Sequence, residues 1–270
     1  MKLKFDEKVE FYITNVCNYT CDNCNRFNNH KFSGWQRWSD YEGIYQQWAK
    51  QIELRAITIL GGEPTLNPTL SEWVVGLNEI FNCDVEILTN GTRLNHVPIL
   101  DFLDTVKVEF GLRLNIPPPP GWQGWNSYWT VVDKNGVIVC MHLANNFQTS
   151  AVQLNNTGRF IVHDSDPIRS HQQCGFVKFK CYHFVRGKIY KCGPAALFPE
   201  FDEQNQFDIS ESDRQIMNSY RPLTLDNFEL YKDDWVESLK HPIPQCKFCP
   251  DKGINRIITP TVKGTASNDT

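Results

Sequence analysis

No apolar run in the 270-residue chain approaches the ~20 residues needed to cross a bilayer. The opening residues Met1-Lys2-Leu3-Lys4-Phe5-Asp6-Glu7 lack the apolar core of a secretory signal. These two absences set the expectation of a cytoplasmic protein with no membrane partner. Basic charge is also short: 27 Lys and Arg stand against 31 Asp and Glu, a formal net charge of −4, so no global positive field draws the chain to nucleic acid. Internal repeats are absent.

Cysteine is what the chain has in excess. The ten are Cys17, Cys21, Cys24, Cys83, Cys140, Cys174, Cys181, Cys192, Cys246 and Cys249. Without an export signal these are expected to be reduced thiols, which favours metal ligation over disulfides. Three fall within eight residues near the N-terminus and five within the last hundred, a distribution that suggests two sites on two structural units. Cys83 and Cys140, between the sets, read as small buried hydrophobes.

The first half alternates β-rich runs with segments of helical period. Strands are expected at Val9 to Thr14, Arg55 to Leu60, Val85 to Leu88 and Val106 to Leu112, with helices at Tyr41 to Ile52 and from Asn67-Pro68 to about Phe81. This rhythm predicts parallel strands with right-handed crossovers, in an open sheet or incomplete barrel. Pro117 to Pro120 imposes a stiff extended connection. Tyr128 to Val132 and Val137 to Cys140 flank Asp133-Lys134-Asn135-Gly136, a hairpin signal. Phe147 to Leu154 is expected to add a strand to the main sheet, Asn155-Asn156-Thr157-Gly158 to break the chain, and Asp166-Pro167 to cap a helix.

Cys17-Asn18-Tyr19-Thr20-Cys21-Asp22-Asn23-Cys24 has the spacing C-x3-C-x2-C directly after the first strand. Three thiolates on a short loop suit a cubane cluster whose fourth iron stays open for chemistry; a structural zinc site completed by His30 or a distant cysteine is the plainer alternative. The second strand ends in Gly61-Gly62-Glu63-Pro64. In this order the two motifs resemble the radical S-adenosylmethionine (radical SAM) superfamily. The resemblance implies that Cys17, Cys21 and Cys24 hold a [4Fe-4S] cluster with one open iron, that Gly61, Gly62, Glu63 and Pro64 approach S-adenosylmethionine, and that Thr89 and Asn90 lie near it. Asn23 stands where the superfamily usually places an aromatic residue, which leaves its backbone to meet the adenine. Glu109 and Arg113 are further candidates for cofactor contact. The implied chemistry is reductive cleavage of S-adenosylmethionine and abstraction of a substrate hydrogen, with a flavodoxin or ferredoxin as electron donor.

Gly187-Lys188-Ile189-Tyr190-Lys191-Cys192, followed by Cys246-Lys247-Phe248-Cys249, is a G-x4-C and C-x2-C pair that resembles the SPASM and shorter Twitch extensions of that superfamily. It implies one auxiliary [4Fe-4S] cluster, with Cys192, Cys246 and Cys249 as ligands and Cys174 and Cys181 competing for the fourth place. A zinc ribbon of Cys181, Cys192, Cys246 and Cys249 would use the same residue types.

The resemblance therefore implies an α/β architecture: an incomplete (β/α)6-type radical SAM barrel over 1–155, a small Twitch-like auxiliary-cluster domain over 156–258 and a disordered tail over 259–270. The expected activity is oxidation of a small polyhydroxylated or amino-sugar-like molecule, with peptide, nucleotide or DNA-base modification as alternatives. A non-catalytic zinc-binding interaction module is the competing class. Arg159, His163, Asp164, Asp166 and His171 are positional candidates for a base, each with an ordinary structural reading as cap, surface group or satisfied polar residue. Trp122, Trp125 and Trp129, like Trp35, Trp38 and Trp48, read as core packing, and Lys178, Lys180, Arg186, Lys188 and Lys191 as a solvated basic face.

Overall fold

The computed structural model describes residues 2–19, 24, 26–28, 32–89, 127–132, 138–143 and 151–251; for Thr89 and the two segments between 127 and 143 it describes the backbone alone. The described residues belong to two compact units, one drawn from Met1–Asn18 and Ser33–Asn146, the other from Tyr19–Phe32 and Phe147–Gly264. The change of unit thus falls a little before Asn155, and the segment carrying Cys24 groups with the later residues. The expected strand at 106–112, the proline run at 117–120, Trp122, Trp125, Glu109, Arg113 and the tail from 259 lie outside the described residues.

In the first unit, β1 (Leu3–Tyr12), β2 (Ile52–Leu60), β3 (Asp84–Thr89), β4 (Ser127–Val132) and β5 (Ile138–Leu143) lie in the order β4-β5-β3-β2-β1. The pairs β1–β2, β2–β3 and β3–β5 are parallel, while β4 returns antiparallel on β5 as the hairpin signal requires. The two described crossovers are α1 (Glu42–Gln51) and α2 (Leu70–Phe81). Ile57, Ile59, Val85 and Ile87 are buried in the sheet, Tyr45 and Trp48 on α1, and Leu70, Trp73, Val74 and Leu77 on α2. Burial of each such side chain contributes roughly 1.5–3 kcal/mol before its entropy cost. Trp38 stacks on Tyr45 at 6.1 Å and meets Trp73 edge-on at 5.0 Å, and the core reading holds for Trp38 and Trp48 but not for Trp35, which is exposed.

The helix expected from Asn67 begins later, at Leu70. Pro64–Leu66 forms a 3-10 turn, and Asn67 is spent on tertiary bonds: its Nδ2 donates to the carbonyls of Ile13 (3.0 Å) and Gln36 (2.9 Å), while its Oδ1 accepts from Thr69 N–H (2.9 Å). One buried amide therefore ties the chain after β1 to the approach of α2.

The second unit begins with β6 (Val152–Leu154) and β7 (Phe160–Val162), an antiparallel pair forming its own two-stranded sheet. This corrects the expectation that Phe147 to Leu154 joins the main sheet. Asn155 Oδ1 accepts from the N–H groups of Thr157 (2.9 Å) and Arg159 (3.0 Å), and Gly158 takes φ +77°, so the expected break is a tight turn that folds the chain back on itself. Then come α3 (Pro167–Gln173), α4 (Gly175–Lys178), β8 (Tyr182–Val185), β9 (Lys188–Tyr190), α5 (Gly193–Asn205), α6 (Glu211–Asn218) and α7 (Phe228–Ser238). Asp166 caps α3 as its sequence predicts, accepting from Ile168 N–H (2.8 Å) and Arg169 N–H (3.1 Å). Phe27, Phe198, Phe201, Trp235 and Phe248 are buried in this unit. Among the described residues no helix is long and apolar enough to cross a membrane.

Candidate functional site

The ends of β1 and β2 are laced together by backbone bonds that continue past the strands. Ile13 N–H donates to Leu60 O (2.9 Å), Gly62 N–H to Thr14 O (2.8 Å) and Glu63 N–H to Val16 O (2.8 Å), which carries the pairing to the residue before Cys17. Gly61 makes this approach possible: a Cβ there would stand 2.4 Å from Thr14 O and 2.8 Å from its Cγ2. The glycine is thus required by the strand junction itself. Glu63 is fully buried, and its Oε1 accepts from Thr65 N–H (3.0 Å) and Thr65 Oγ1 (2.6 Å), capping the Pro64–Leu66 turn. The Gly61-Gly62-Glu63-Pro64 segment is consequently a rigid shelf at the C-terminal ends of parallel strands, where α/β sheets bind ligands.

Cys17 is partly exposed on the loop after β1. Thr89 ends β3 opposite Leu143 of β5. Cys21, Asn23, Asn90 and His30 lie outside the described residues. Cys24 is buried in the second unit, its Sγ 3.7 Å from Asn28 Oδ1. The residues after it are firmly anchored there. Phe27 takes φ +65°, an unfavourable conformation for a bulky side chain, and is held by stacking on Phe198 at 5.4 Å and by an edge contact with Phe201 at 5.5 Å. Arg26 lies over the Phe176 ring at 5.3 Å.

Residues 11–118 match the model of the Radical SAM superfamily. That stretch, about two fifths of the chain, is similar to a radical SAM domain. A protein of Methanothermobacter marburgensis named "Probable GTP 3',8-cyclase" is 34% identical over 101 residues, which are 36% of this chain and 33% of that protein. The chain therefore aligns with about a third of that relative's length. Among solved structures, Streptococcus suis SuiB bound to S-adenosylmethionine matches at 25% identity and a TM-score of 0.27, over 32% of this chain and 20% of its own. The same protein bound to precursor peptide SuiA matches at 24% identity and a TM-score of 0.28, over 33% and 19%.

Cysteines of the C-terminal set meet in the second unit. Cys174, at the joint of α3 and α4, Cys192, at the exit of β9, and Cys246 and Cys249, around the 3-10 turn Pro244–Phe248, line one cavity of about 70 Å³. The G-x4-C spacing has a geometric origin. Arg186 (φ +49°) and Gly187 (φ +71°) are the two central residues of the β8–β9 hairpin turn, and the three-residue β9 then delivers Cys192 to the first turn of α5. Cys181 is not in the cavity wall; its Sγ is directed at Phe179 O, 3.7 Å away. Of the zinc-ribbon alternative, Cys192, Cys246 and Cys249 line this cavity and Cys181 does not.

Burial pushes all four thiols up, and for Cys192, Cys246 and Cys249 neighbouring cysteines push further. Such thiols stay protonated unless a metal group takes the place of their protons. A single tetrahedral ion would draw its sulfurs to roughly 3.8 Å of one another. Among the described residues no three His, Cys, Asp or Glu side chains are grouped to hold one ion. Cys83, by contrast, stands apart beside Asp84, its thiol pushed up to about 12 chiefly by burial.

The positional candidates for a base are all engaged. Arg159 pairs with Asp208 (3.1 Å), Asp164 with Lys247 (3.2 Å), His163 meets Gln153 (3.3 Å), Asp166 caps α3, and His171 is buried against Lys191 (3.2 Å). The expected basic face also divides: Arg186 pairs with Glu200, and Lys191 turns inward to the cysteine cavity. Neither location is visible from charge counting.

Proposed function

We propose that the protein is a radical SAM enzyme that abstracts a hydrogen atom from its substrate and carries a second, auxiliary cluster. Cys17, Cys21 and Cys24 would hold the first [4Fe-4S] cluster, and Cys174, Cys192, Cys246 and Cys249 the second. When bound and reduced, the first cluster and S-adenosylmethionine supply a 5′-deoxyadenosyl radical; the cofactors carry this chemistry. The chain's own work is positional. The Gly61–Pro64 shelf offers backbone groups where side chains would obstruct, and the Glu63–Thr65 cap keeps the shelf from shifting. A reducing protein of the flavodoxin or ferredoxin type would supply the electron.

The observation that carries this reading is the radical SAM match over 11–118, supported by the Gly61 junction beside Cys17. The substrate reading shifts with the comparisons. A polyhydroxylated or amino-sugar-like substrate has no support in them, and the curated relative's name points to a guanine nucleotide. Nucleotide modification is therefore the substrate reading we carry, with peptide modification second. The test is iron, sulfide and zinc content after anaerobic reconstitution, with 5′-deoxyadenosine formation followed in the same sample with GTP, with peptide and alone. About eight irons per chain and nucleotide-stimulated cleavage support the whole reading; stoichiometric zinc without cleavage replaces it with the interaction module.

A further inference from the structure

Lys191 is the one buried lysine among the described residues, at 4% exposure, and it lines the cysteine cavity. Its ammonium is fully engaged. Nζ donates to the carbonyl oxygens of Ser238 (3.0 Å) and His241 and lies 3.2 Å from His171 Nε2. Burial pulls the Lys191 pKa below its ordinary value, while the two carbonyl acceptors, the His171 ring nitrogen and the neighbouring cysteines favour the charged form. The two carbonyls and the imidazole are neutral groups, and no carboxylate pairs with Lys191 among the described residues. A buried cation without a counter-ion is expensive, and a protein keeps one where an anion completes it. The groups that can be that anion are the cysteines sharing its cavity, of which Cys174, Cys192 and Cys246 interact with it electrostatically.

Among the described residues the rest of the wall carries no other positive charge. It comprises apolar side chains such as Phe176, Val177 and Ile243, with the amides of Gln173 and Gln245 and the hydroxyl of Ser170. Lys191 itself is fixed from outside the cavity: its backbone N–H donates to Tyr220 Oη (2.9 Å), which also accepts from Trp235 Nε1 (3.3 Å). The lysine is thus a charge built into the scaffold, one residue before Cys192.

We infer that Lys191 is a positioning residue that supplies the fixed counter-charge of the auxiliary cluster, favouring its reduced state and so raising its reduction potential. The inference rests on the auxiliary-cluster reading above. A [4Fe-4S] core bound by four thiolates carries net negative charge, and each added electron deepens it. A cation held in a low-dielectric wall stabilises the more negative state more, and net charge and hydrogen bonding are what set cluster potentials.

The experiment uses the full chain with Cys17→Ala, Cys21→Ala and Cys24→Ala combined, so that only the auxiliary cluster contributes, with Lys191→Met, Lys191→Gln and Lys191→Arg added in turn. Iron and sulfide are assayed first. If the triple variant binds no iron, the auxiliary-cluster reading falls and the inference with it. If it binds about four irons, an EPR-monitored redox titration decides the inference separately. The expected result is a more negative midpoint in Lys191→Met and Lys191→Gln and one near the parent in Lys191→Arg. Loss of the cluster in the two neutral variants with retention in Lys191→Arg, circular dichroism being unchanged, also supports it. An unchanged midpoint in either neutral variant, or equal loss in all three, overturns it by showing that Lys191 only packs.

Discussion

Cys17, Cys21 and Cys24 stand within eight residues of a single loop, whereas Cys174, Cys192, Cys246 and Cys249 come from a helix joint, a hairpin exit and a 3-10 turn. In the first set the short spacing along the chain is by itself the signal of a ligand group. In the second, separations of up to 54 residues between neighbours, from Cys192 to Cys246, mean that packing has to bring the ligands together. On the proposed reading the first set would leave an iron open for chemistry, and the second would close a group inside a wall that includes Lys191.

The sharpest way to break this comparison is to remove ligands one set at a time. Cys17→Ala, Cys21→Ala or Cys24→Ala is expected to abolish 5′-deoxyadenosine formation while about four irons per chain remain. Survival of cleavage in any of the three would remove that cysteine from the site. Cys192→Ser or Cys249→Ser is expected to lose the auxiliary iron, about half of the total, and Cys181→Ser to keep it. Equal iron loss in Cys181→Ser would mean that Cys181, not the cavity set alone, supplies a ligand.

Smaller effects test the scaffolds. Gly61→Ala places a methyl group 2.4 Å from Thr14 O, and separating the strand ends is expected to cost about 1–3 kcal/mol, read as a lower denaturant midpoint together with weaker S-adenosylmethionine binding. Normal binding in a folded variant would show that the shelf tolerates displacement. Asp166→Ala removes the two N-cap bonds of α3, the helix leading to Cys174, and is expected to cost about 1 kcal/mol with auxiliary iron intact. Iron loss there would mean that Cys174 depends on that cap for its position.

Much of the first unit was legible from local pattern. The parallel strands β1, β2 and β3, helices α1 and α2 and the β4–β5 hairpin, and in the second unit the Asp166 cap, follow from periodicity, turn residues and capping chemistry, which act over a few residues. The delayed start of α2 was not legible, because Asn67 spends its side chain on carbonyls 54 and 31 residues away. Nor was the pairing of β6 with β7, which depends on the turn that Asn155 closes.

The sequence by itself determined the N-terminal cysteine loop, the glycine-rich turn that follows β2 and the chemistry that the two together imply, because each is complete within a short stretch of chain. Tertiary structure alone decided that Cys174 rather than Cys181 shares a cavity with Cys192, Cys246 and Cys249, and that Lys191 faces inward while its basic neighbours do not. Those outcomes turn on which side of a hairpin or helix joint is covered by the rest of the chain, and burial is a property of the packed whole that neighbouring residues do not encode.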